Sequence, residues 1–161
     1  MKSEHQHMSK SITIFSIQKV LRELKKEEEK SQDPRTKVGC ILTDGQGIIV
    51  ARGHNRLPVT LQVQKTDWSL AIKNDLVIHA EMVAILTLVK LDHQPKKLIA
   101  WISHFPCKEC AKILIDSGIK KIKYRINKYP RRNLYVVSKK ILSRAEVPFS
   151  KISVKTNHPF D

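Results

Sequence analysis

Two short motifs, far apart in the chain, constrain the fold of this sequence more than any other feature. The first is a His-Ala-Glu triplet with His79 and Glu81, and the second is a Pro-Cys-Lys-Glu-Cys run with Cys107 and Cys110. One imidazole nitrogen and two thiolates suit a tetrahedral zinc ion, and three protein ligands leave the fourth position open to water, as in catalytic sites. The histidine and both cysteines are therefore the predicted ligands of Zn2+. Glu81 is the predicted general acid and base, because it stands close to such a water without being a ligand.

Both motifs are predicted to stand at the N-termini of helices. Residues 80–91 are apolar nearly all round, as expected of a buried helix, and residues 107–117 form a helix closed by Gly118. The helix dipole favours negative charge at this end and lowers the pKa of a thiol. Cys107 and Cys110 are about one helical turn apart, so both sulfur atoms can face the same ion.

The hydrophobic pattern of the whole chain predicts strands alternating with helices. The predicted strands are residues 38–43, 47–51, 97–103, 120–126 and 149–154, and the predicted helices are residues 12–30, 80–91, 107–117 and 132–145. The first two strands form a hairpin with a glycine-containing turn, whereas residues 53–75 read as a long loop with some helix. Helices that follow strands indicate an α/β domain with a five-stranded mixed sheet covered by helices.

Size and composition indicate one domain in an intracellular protein. The chain has 161 residues, of which 1–10 are predicted to be a mobile tail and 11–161 a single zinc-dependent domain. No apolar run approaches the roughly 18 residues of a membrane span, and the first residues are too polar for a signal peptide. Three cysteines, with Cys40 as a small core residue, agree with a reducing compartment, and a cytoplasmic location is expected.

Positive charge is concentrated in the last third of the chain. The net charge is +15, and between Lys96 and Arg144 there are 14 lysines and arginines against only two acidic residues. Such a field attracts phosphate groups, so a nucleotide or a nucleic acid is a possible partner of the 96–144 segment.

The two motifs together are the signature of zinc-dependent base deaminases. The chain resembles the cytidine/deoxycytidylate deaminase superfamily, and most of all the deoxycytidylate (dCMP) deaminases, from Asp33 to about Tyr129. The segments that carry the resemblance are Asp33–Cys40, Gly53–Pro58 and Phe105–Lys112. The resemblance implies a three-layer α/β/α cytidine-deaminase-like fold, a Zn2+ cofactor and a homo-oligomer.

The resemblance also implies a reaction and a set of substrate contacts. The reaction is the hydrolytic deamination of a cytosine nucleotide, most of all dCMP to dUMP with release of ammonia. Water activated by zinc attacks C4, while Glu81 takes a proton from it and passes protons to N3 and the departing amino group. The backbone of Ala80 is expected to read the pyrimidine, Asn55 to bind the sugar, and Phe105 to form part of the pocket wall.

A monophosphate on the substrate needs cationic or N–H partners. Arg35, Lys37 and Arg56 are the candidates, because they lie in or next to the segments that carry the resemblance. Leu76 and Arg56 stand where family members commonly have tyrosine and glycine. Substrate choice and control by dCTP or dTTP are therefore left open.

Two other interpretations remain open. The same chemistry could act on a base in tRNA or single-stranded nucleic acid, since the 96–144 segment is basic and residues 53–56 also resemble the loop of tRNA adenosine deaminases. That substrate requires base flipping and a basic groove. Alternatively, the chain could be a non-catalytic zinc-stabilised binding module, although such a module has no structural need for Glu81.

Overall fold

The computed structural model describes residues 17–62, 64, 68–90 and 97–153, with only the backbone for residues 70 and 71. The described chain begins in a helix, α1, over residues 17–29. The predicted tail and the predicted start of this helix lie outside the described residues. Val20 and Leu24 of α1 are buried against Ile41 and Trp101, so the periodic apolar residues do form the inner face of this helix.

Five strands form one mixed sheet. They are β1 (Gly39–Thr43), β2 (Ile49–His54), β3 (Ile99–His104), β4 (Lys121–Ile126) and β5 (Phe149–Lys151). Their order is β2-β1-β3-β4-β5; β1 is antiparallel to both of its neighbours, and β4 is parallel to both β3 and β5. The predicted five-stranded mixed sheet is confirmed, and the hairpin turns at Gly47, whose φ of 85° favours glycine.

Within the described residues, four further helices follow α1. They are α2 (Leu70–Leu76), α3 (Ala80–Val89), α4 (Lys108–Asp116) and α5 (Asn133–Arg144). Residues of α3, α4 and α5 share one core cluster with Ala100 and Ile102 of β3, whereas Trp101 packs on the other side with α1. Because successive strand residues point to opposite faces, the helices form two layers around the sheet. This confirms the α/β/α architecture. No helix in the described part of the chain is long and apolar enough to cross a bilayer.

The structure differs from the sequence prediction in two elements. First, α3 was expected to be buried all round, but Leu86 is 51% exposed and Val89 is 66% exposed. The sheet and α4 cover only part of this helix, so its outer flank has no partner within the described residues. Second, β2 continues to His54, although a loop was expected from residue 53, because residues 52–54 pair with residues 39–41 of β1. Arg52 and His54 also contact Glu23 and Glu27 of α1.

Parallel pairing brings the ends of β3 and β4 together next to α4. The backbone N–H of Phe105, just after β3, donates to the carbonyl oxygen of Ile126 at the end of β4, with an N–O distance of 2.7 Å. Cys107 follows two residues later. The second motif therefore lies at the carboxyl edge of the parallel strands, where α/β proteins commonly place their sites.

Candidate functional site

Both motifs lie at helix N-termini. His79 is the N-cap residue of α3, and Cys107 is the N-cap residue of α4. The His79 carbonyl accepts the N–H of Val83 at 3.1 Å, and the Cys107 carbonyl accepts the N–H of Ala111 at 2.9 Å. The backbone of each residue thus begins its helix, while its side chain is free to face the other motif.

The three predicted ligands converge. The candidate ligand atoms of His79, Cys107 and Cys110 all lie within 4.8 Å of one another. Nδ1 of His79 is 3.3 Å from Sγ of Cys110 and 3.6 Å from Sγ of Cys107. Zinc bonds of about 2.1 Å to nitrogen and about 2.3 Å to sulfur at tetrahedral angles require N–S separations near 3.6 Å. Donor chemistry and spacing therefore fit zinc. His79 is exposed, whereas Cys110 is buried, so the group opens to solvent on the histidine side.

The protonation of this group is coupled through its hydrogen bonds. The hydrogen bond from Cys110 lowers the pKa of the Cys107 thiol to about 4, with a further contribution from His79. The hydrogen bond to Cys107 raises the pKa of His79 to about 9, against partial desolvation of the imidazole by neighbouring protein atoms and the charge on Lys73. Cys107 is therefore held as a thiolate, and metal binding must release the protons of the other two ligands.

Glu81 lies in the first turn of α3 beside this group. It is 4% exposed, and its carboxyl shares a hydrogen bond with the Cys110 side chain. Burial raises the pKa of this carboxyl above its ordinary value, although the charge on His79 partly opposes the effect. A protonatable group thus adjoins the predicted ligands in a position shielded from bulk water.

Asn55 is held by the loop that precedes β1. Its Nδ2 donates to the carbonyl of Thr36 at 2.9 Å and to Oδ2 of Asp33 at 3.2 Å, and its Oδ1 accepts the N–H of Val38 at 2.7 Å. Both amide hydrogens of this residue, predicted to bind the sugar, are therefore committed to the protein itself. Only acceptor capacity on Oδ1 remains.

Of the three candidate phosphate contacts, Arg56 is linked most directly to the zinc motif. Its backbone exchanges two hydrogen bonds with Ile78, the residue before His79, at 2.8 and 3.1 Å. Its guanidinium donates to the carbonyl of Leu57 at 3.1 Å. Arg35 and Lys37 are exposed on the 33–38 loop, which Asn55 ties to the end of β2.

Ala80 and Phe105 are both buried. Ala80 is the first residue of α3 and has no exposed surface. The ring of Phe105 makes edge contacts with Tyr124 and Phe149, at centroid distances of 4.9 and 5.5 Å. The structure therefore places this ring, predicted to form a pocket wall, in the core cluster of the α3 side of the sheet.

Two residues near the site were missed by sequence reasoning. Lys73 of α2 forms an ion pair with the fully buried Asp33. The positive charge of Lys73 also lowers the pKa of His79, although other effects outweigh it. Tyr135 of α5 is half-buried, and its pKa is raised by burial and by its proximity to Cys107 and Glu81. Neither carried a usable signal, because Lys73 lies in a weakly patterned stretch and Tyr135 reads as one apolar position of an amphipathic helix.

Known proteins are similar to this chain in sequence and in fold. The family model described as the cytidine and deoxycytidylate deaminase zinc-binding region matches residues 15–126. A probable deoxycytidylate deaminase of Caenorhabditis elegans is 32% identical over 139 residues, covering 84% of this chain and 68% of that protein. The deoxycytidylate deaminase of Homo sapiens is 29% identical over 133 residues, covering 79% and 74% of the two chains. A crystal structure of dCMP deaminase from the cyanophage S-TIM5 in complex with dCMP and dUMP is 25% identical, with a TM-score of 0.62, and covers 94% of this chain and 99% of that chain.

Proposed function

Because this chain belongs to the cytidine and deoxycytidylate deaminase family and is a zinc-dependent hydrolytic deaminase, we propose that it converts dCMP to dUMP with release of ammonia. The family match and the His/Cys/Cys group confirm three sequence predictions, namely the family, the enzyme class and the zinc cofactor. The observation that carries the proposed reaction is the buried Glu81 beside the group of His79, Cys107 and Cys110. The substrate is supported by relatives named deoxycytidylate deaminase and by the phage enzyme that binds dCMP and dUMP.

The chemistry follows from the proposed roles of four side chains. His79, Cys107 and Cys110 would hold zinc, which when bound supplies a Lewis acid that brings the pKa of a water molecule to about 7. Glu81 is proposed to carry both protons of this water in turn, the first to N3 and the second, from the hydroxyl added at C4, to the departing amino group of cytosine. A C–O bond forms at C4 as the C–N bond breaks, so the products are uracil and ammonia.

Substrate contacts are proposed from the same geometry. The Ala80 backbone is proposed to form hydrogen bonds with the pyrimidine base. Oδ1 of Asn55 is proposed to accept a hydrogen bond from a sugar hydroxyl, because both amide hydrogens of this residue already bond to the protein. Arg56 is the preferred phosphate contact, with Arg35 and Lys37 on the adjoining loop. Phe105 is proposed to support the pocket from the core side.

An ammonia-release assay tests the proposal. Purified zinc-loaded protein is offered cytidine, deoxycytidine, CMP, dCMP, dCTP and a cytosine-bearing oligonucleotide, and dCMP is expected to give the highest kcat/KM. Equal rates for deoxycytidine and dCMP would show that the phosphate is not recognised. Turnover of none of these compounds would favour the non-catalytic interpretation, against which family membership already argues.

A nucleic-acid substrate is the second candidate, and one surface favours it. The described residues 97–153 contain 14 lysines and arginines and three acidic residues. Of these 14 basic residues, only Lys108, Lys112 and Arg125 form ion pairs within the described part of the chain. The Tyr129 ring lies 6.2 Å from the ring of Tyr135, which neighbours the site. Its centroid is 4.2 Å from the Arg132 guanidinium carbon and 5.4 Å from Nζ of Lys128. An aromatic ring flanked by cations suits base stacking and phosphate contact.

Fluorescence anisotropy of a labelled single-stranded oligonucleotide distinguishes the two candidates. Nucleic-acid binding predicts affinity that falls steeply with salt and weakens in Arg132→Ala but much less in Arg144→Ala, at the far end of α5. No binding at moderate salt would exclude a polymer substrate.

We also propose that residues 11–161 form a single domain that assembles as a homo-oligomer. The exposed Leu86 and Val89 on α3 support self-association, because apolar residues on one outer helix flank favour burial against a partner. Light scattering after size-exclusion chromatography measures the number of subunits. The cytoplasmic location stays a prediction.

A further inference from the structure

A buried ion pair joins two segments that flank the candidate site. Asp33, in the loop before β1, has no exposed surface, and the side chain of Lys73, on α2, is 12% exposed. Nζ of Lys73 is paired with Oδ2 of Asp33. Two charges removed from water in this way are stabilised only if their geometry is well defined and their other hydrogen-bonding positions are filled.

The carboxylate of Asp33 meets that condition. Its Oδ1 accepts the backbone N–H groups of Arg35 and Thr36 at 2.9 and 3.1 Å, and its Oδ2 also accepts from Asn55 at 3.2 Å. Burial opposes ionisation, but the hydrogen bonds from Lys73 and the two backbone groups outweigh it and hold the pKa of Asp33 below its ordinary value. This aspartate is therefore an ionised junction between α2, the 33–38 loop and Asn55.

From Lys73 the chain runs to His79 through a segment that is held at several points. The N–H of Val77 donates to the Lys73 carbonyl at 2.9 Å and ends α2. Ile78 is then paired through both backbone groups with Arg56, directly after Asn55. The position of His79 thus depends on α2 through Lys73 and on the 55–56 segment through Ile78.

We propose that Lys73 and Asp33 are a positioning pair that sets His79 relative to Asn55 and the 33–38 loop. The proposal rests on the function proposed above for this site. Neither residue is expected to touch the substrate, because each charge is already neutralised by the other. Displacing a reacting group by about 1 Å can cost about 100-fold in rate. A junction that holds both the segment of His79 and the 33–38 loop with Asn55 is therefore expected to affect turnover.

Four variants and two controls test this pair. The variants are Lys73→Met, Asp33→Asn, the double variant and Lys73→Arg; the controls are Asp75→Asn, at an exposed position of α2, and Lys90→Met, at the exposed end of α3. Lys73→Met and Asp33→Asn, which each remove one charge of the pair, are expected to lower kcat/KM for dCMP about 10- to 100-fold at temperatures where the protein is folded. The double variant should be no worse than the worse single variant, since the two residues act as one unit. Lys73→Arg should stay within about fivefold of the unaltered protein, and both controls within about twofold.

A purely structural role gives a different result. It lowers the melting temperature but leaves kcat/KM of the folded variant unchanged, so a Lys73→Met value within twofold of the Lys90→Met control would overturn the proposal. If Lys73→Met does not fold, the double variant, which buries no unpaired charge, takes its place in the comparison. If neither folds, the pair is needed for stability and the proposal is wrong.

A spectroscopic measurement separates this proposal from the proposed function. If the unaltered protein deaminates no cytosine compound, each protein is loaded with Co2+ and its d–d absorption is recorded. An altered spectrum in Lys73→Met and Asp33→Asn, with an unaltered one in both controls, would still show that the pair positions His79. Identical spectra in all proteins would exclude a role of Lys73 and Asp33 in positioning His79.

Discussion

At the scale of single residues, the proposed chemistry depends on one carboxyl group in a buried position. Glu81 stands in the first turn of α3, where a carboxylate is favoured by the helix dipole, and it adjoins the predicted ligands without belonging to them. Burying a carboxyl group costs free energy unless it is hydrogen-bonded or paired, so a buried glutamate beside the predicted ligands favours a functional role. Removing its acid/base function should therefore affect turnover much more than folding.

The variant Glu81→Gln tests this role, because it keeps the shape of the side chain and removes its ability to transfer a proton. We expect unchanged zinc content and melting temperature, with kcat lowered by about 10² to 10⁴ or more. Ammonia release and zinc per chain are measured on the same preparation. Undiminished turnover would contradict the proposed mechanism.

The two cysteines that are predicted to bind zinc should behave differently from Cys40. In Cys107→Ala we expect loss of bound zinc together with a lower melting temperature, because metal-binding free energy contributes to folding. Cys40→Ala is the matched control, since Cys40 is fully buried in β1 and should lose stability without losing zinc. A zinc-loaded Cys107→Ala protein would show that this thiol is not a ligand.

At the scale of elements, the position of α3 depends on a glycine in β2. A Cβ atom added to Gly53 would come within 3.0 Å of the carbonyl oxygen of Ala80 and the nitrogen of Ala84. Both are backbone atoms that cannot rotate away. Gly53 therefore allows the N-terminal turns of α3, with His79 as its N-cap, to lie directly on the sheet.

Gly53→Ala is expected to destabilise the fold by about 1–3 kcal/mol, as overpacking typically does. It should also weaken zinc binding, because relief of the clash moves the helix that carries the histidine. Urea unfolding and zinc titration measure the two effects. Gly45→Ala is the control, since its Cβ would meet only the side chain of Lys97; equal losses in both variants would argue against this role of Gly53.

At the scale of the whole molecule, acidic residues of α1 anchor this helix to a basic protein. Glu23 pairs with Arg52 of β2, Glu27 with His54 of β2, and Glu28 with Arg125 of β4. Glu27 is buried: burial opposes its ionisation, yet hydrogen bonds from Lys30 and His54 keep its pKa below the ordinary 4.5. The pKa of Asp33 is lowered as well.

This charge arrangement predicts acid sensitivity. A carboxyl with a lower pKa in the folded state adds stability above its unfolded pKa, near 4.5 for Glu27, and loses that contribution as pH falls through the folded value. The free energy of unfolding should therefore fall as the pH drops below about 5. Urea midpoints at several pH values check this, and the fall should be shallower in Glu27→Gln. An equally steep fall in that variant would assign the effect to other groups.

Much of the local structure could be predicted because its signals are local. Periods of two and 3.6 residues located the strands and helices to within a few residues, and the spacing of the two cysteines implied one helical turn between two ligands. Errors arose where a distant partner decided the outcome. Residues 52–54 joined β2 because they pair with residues 39–41 of β1, and α1 carries acidic partners for Arg52 and His54. Leu86 is exposed because no described element covers that flank of α3.

The sequence by itself determined the zinc cofactor, the class of reaction and the presence of a mixed sheet, and it predicted the three ligand residues that the fold brings together, because donor chemistry and short-range periodicity are written in neighbouring residues. Only the tertiary structure decided that Asp33, Asn55 and Lys73 form one junction and that the ring of Phe105 packs in the core. Those contacts join residues tens of positions apart. Their strength depends on burial and on complete hydrogen bonding, which exist only once the chain is folded.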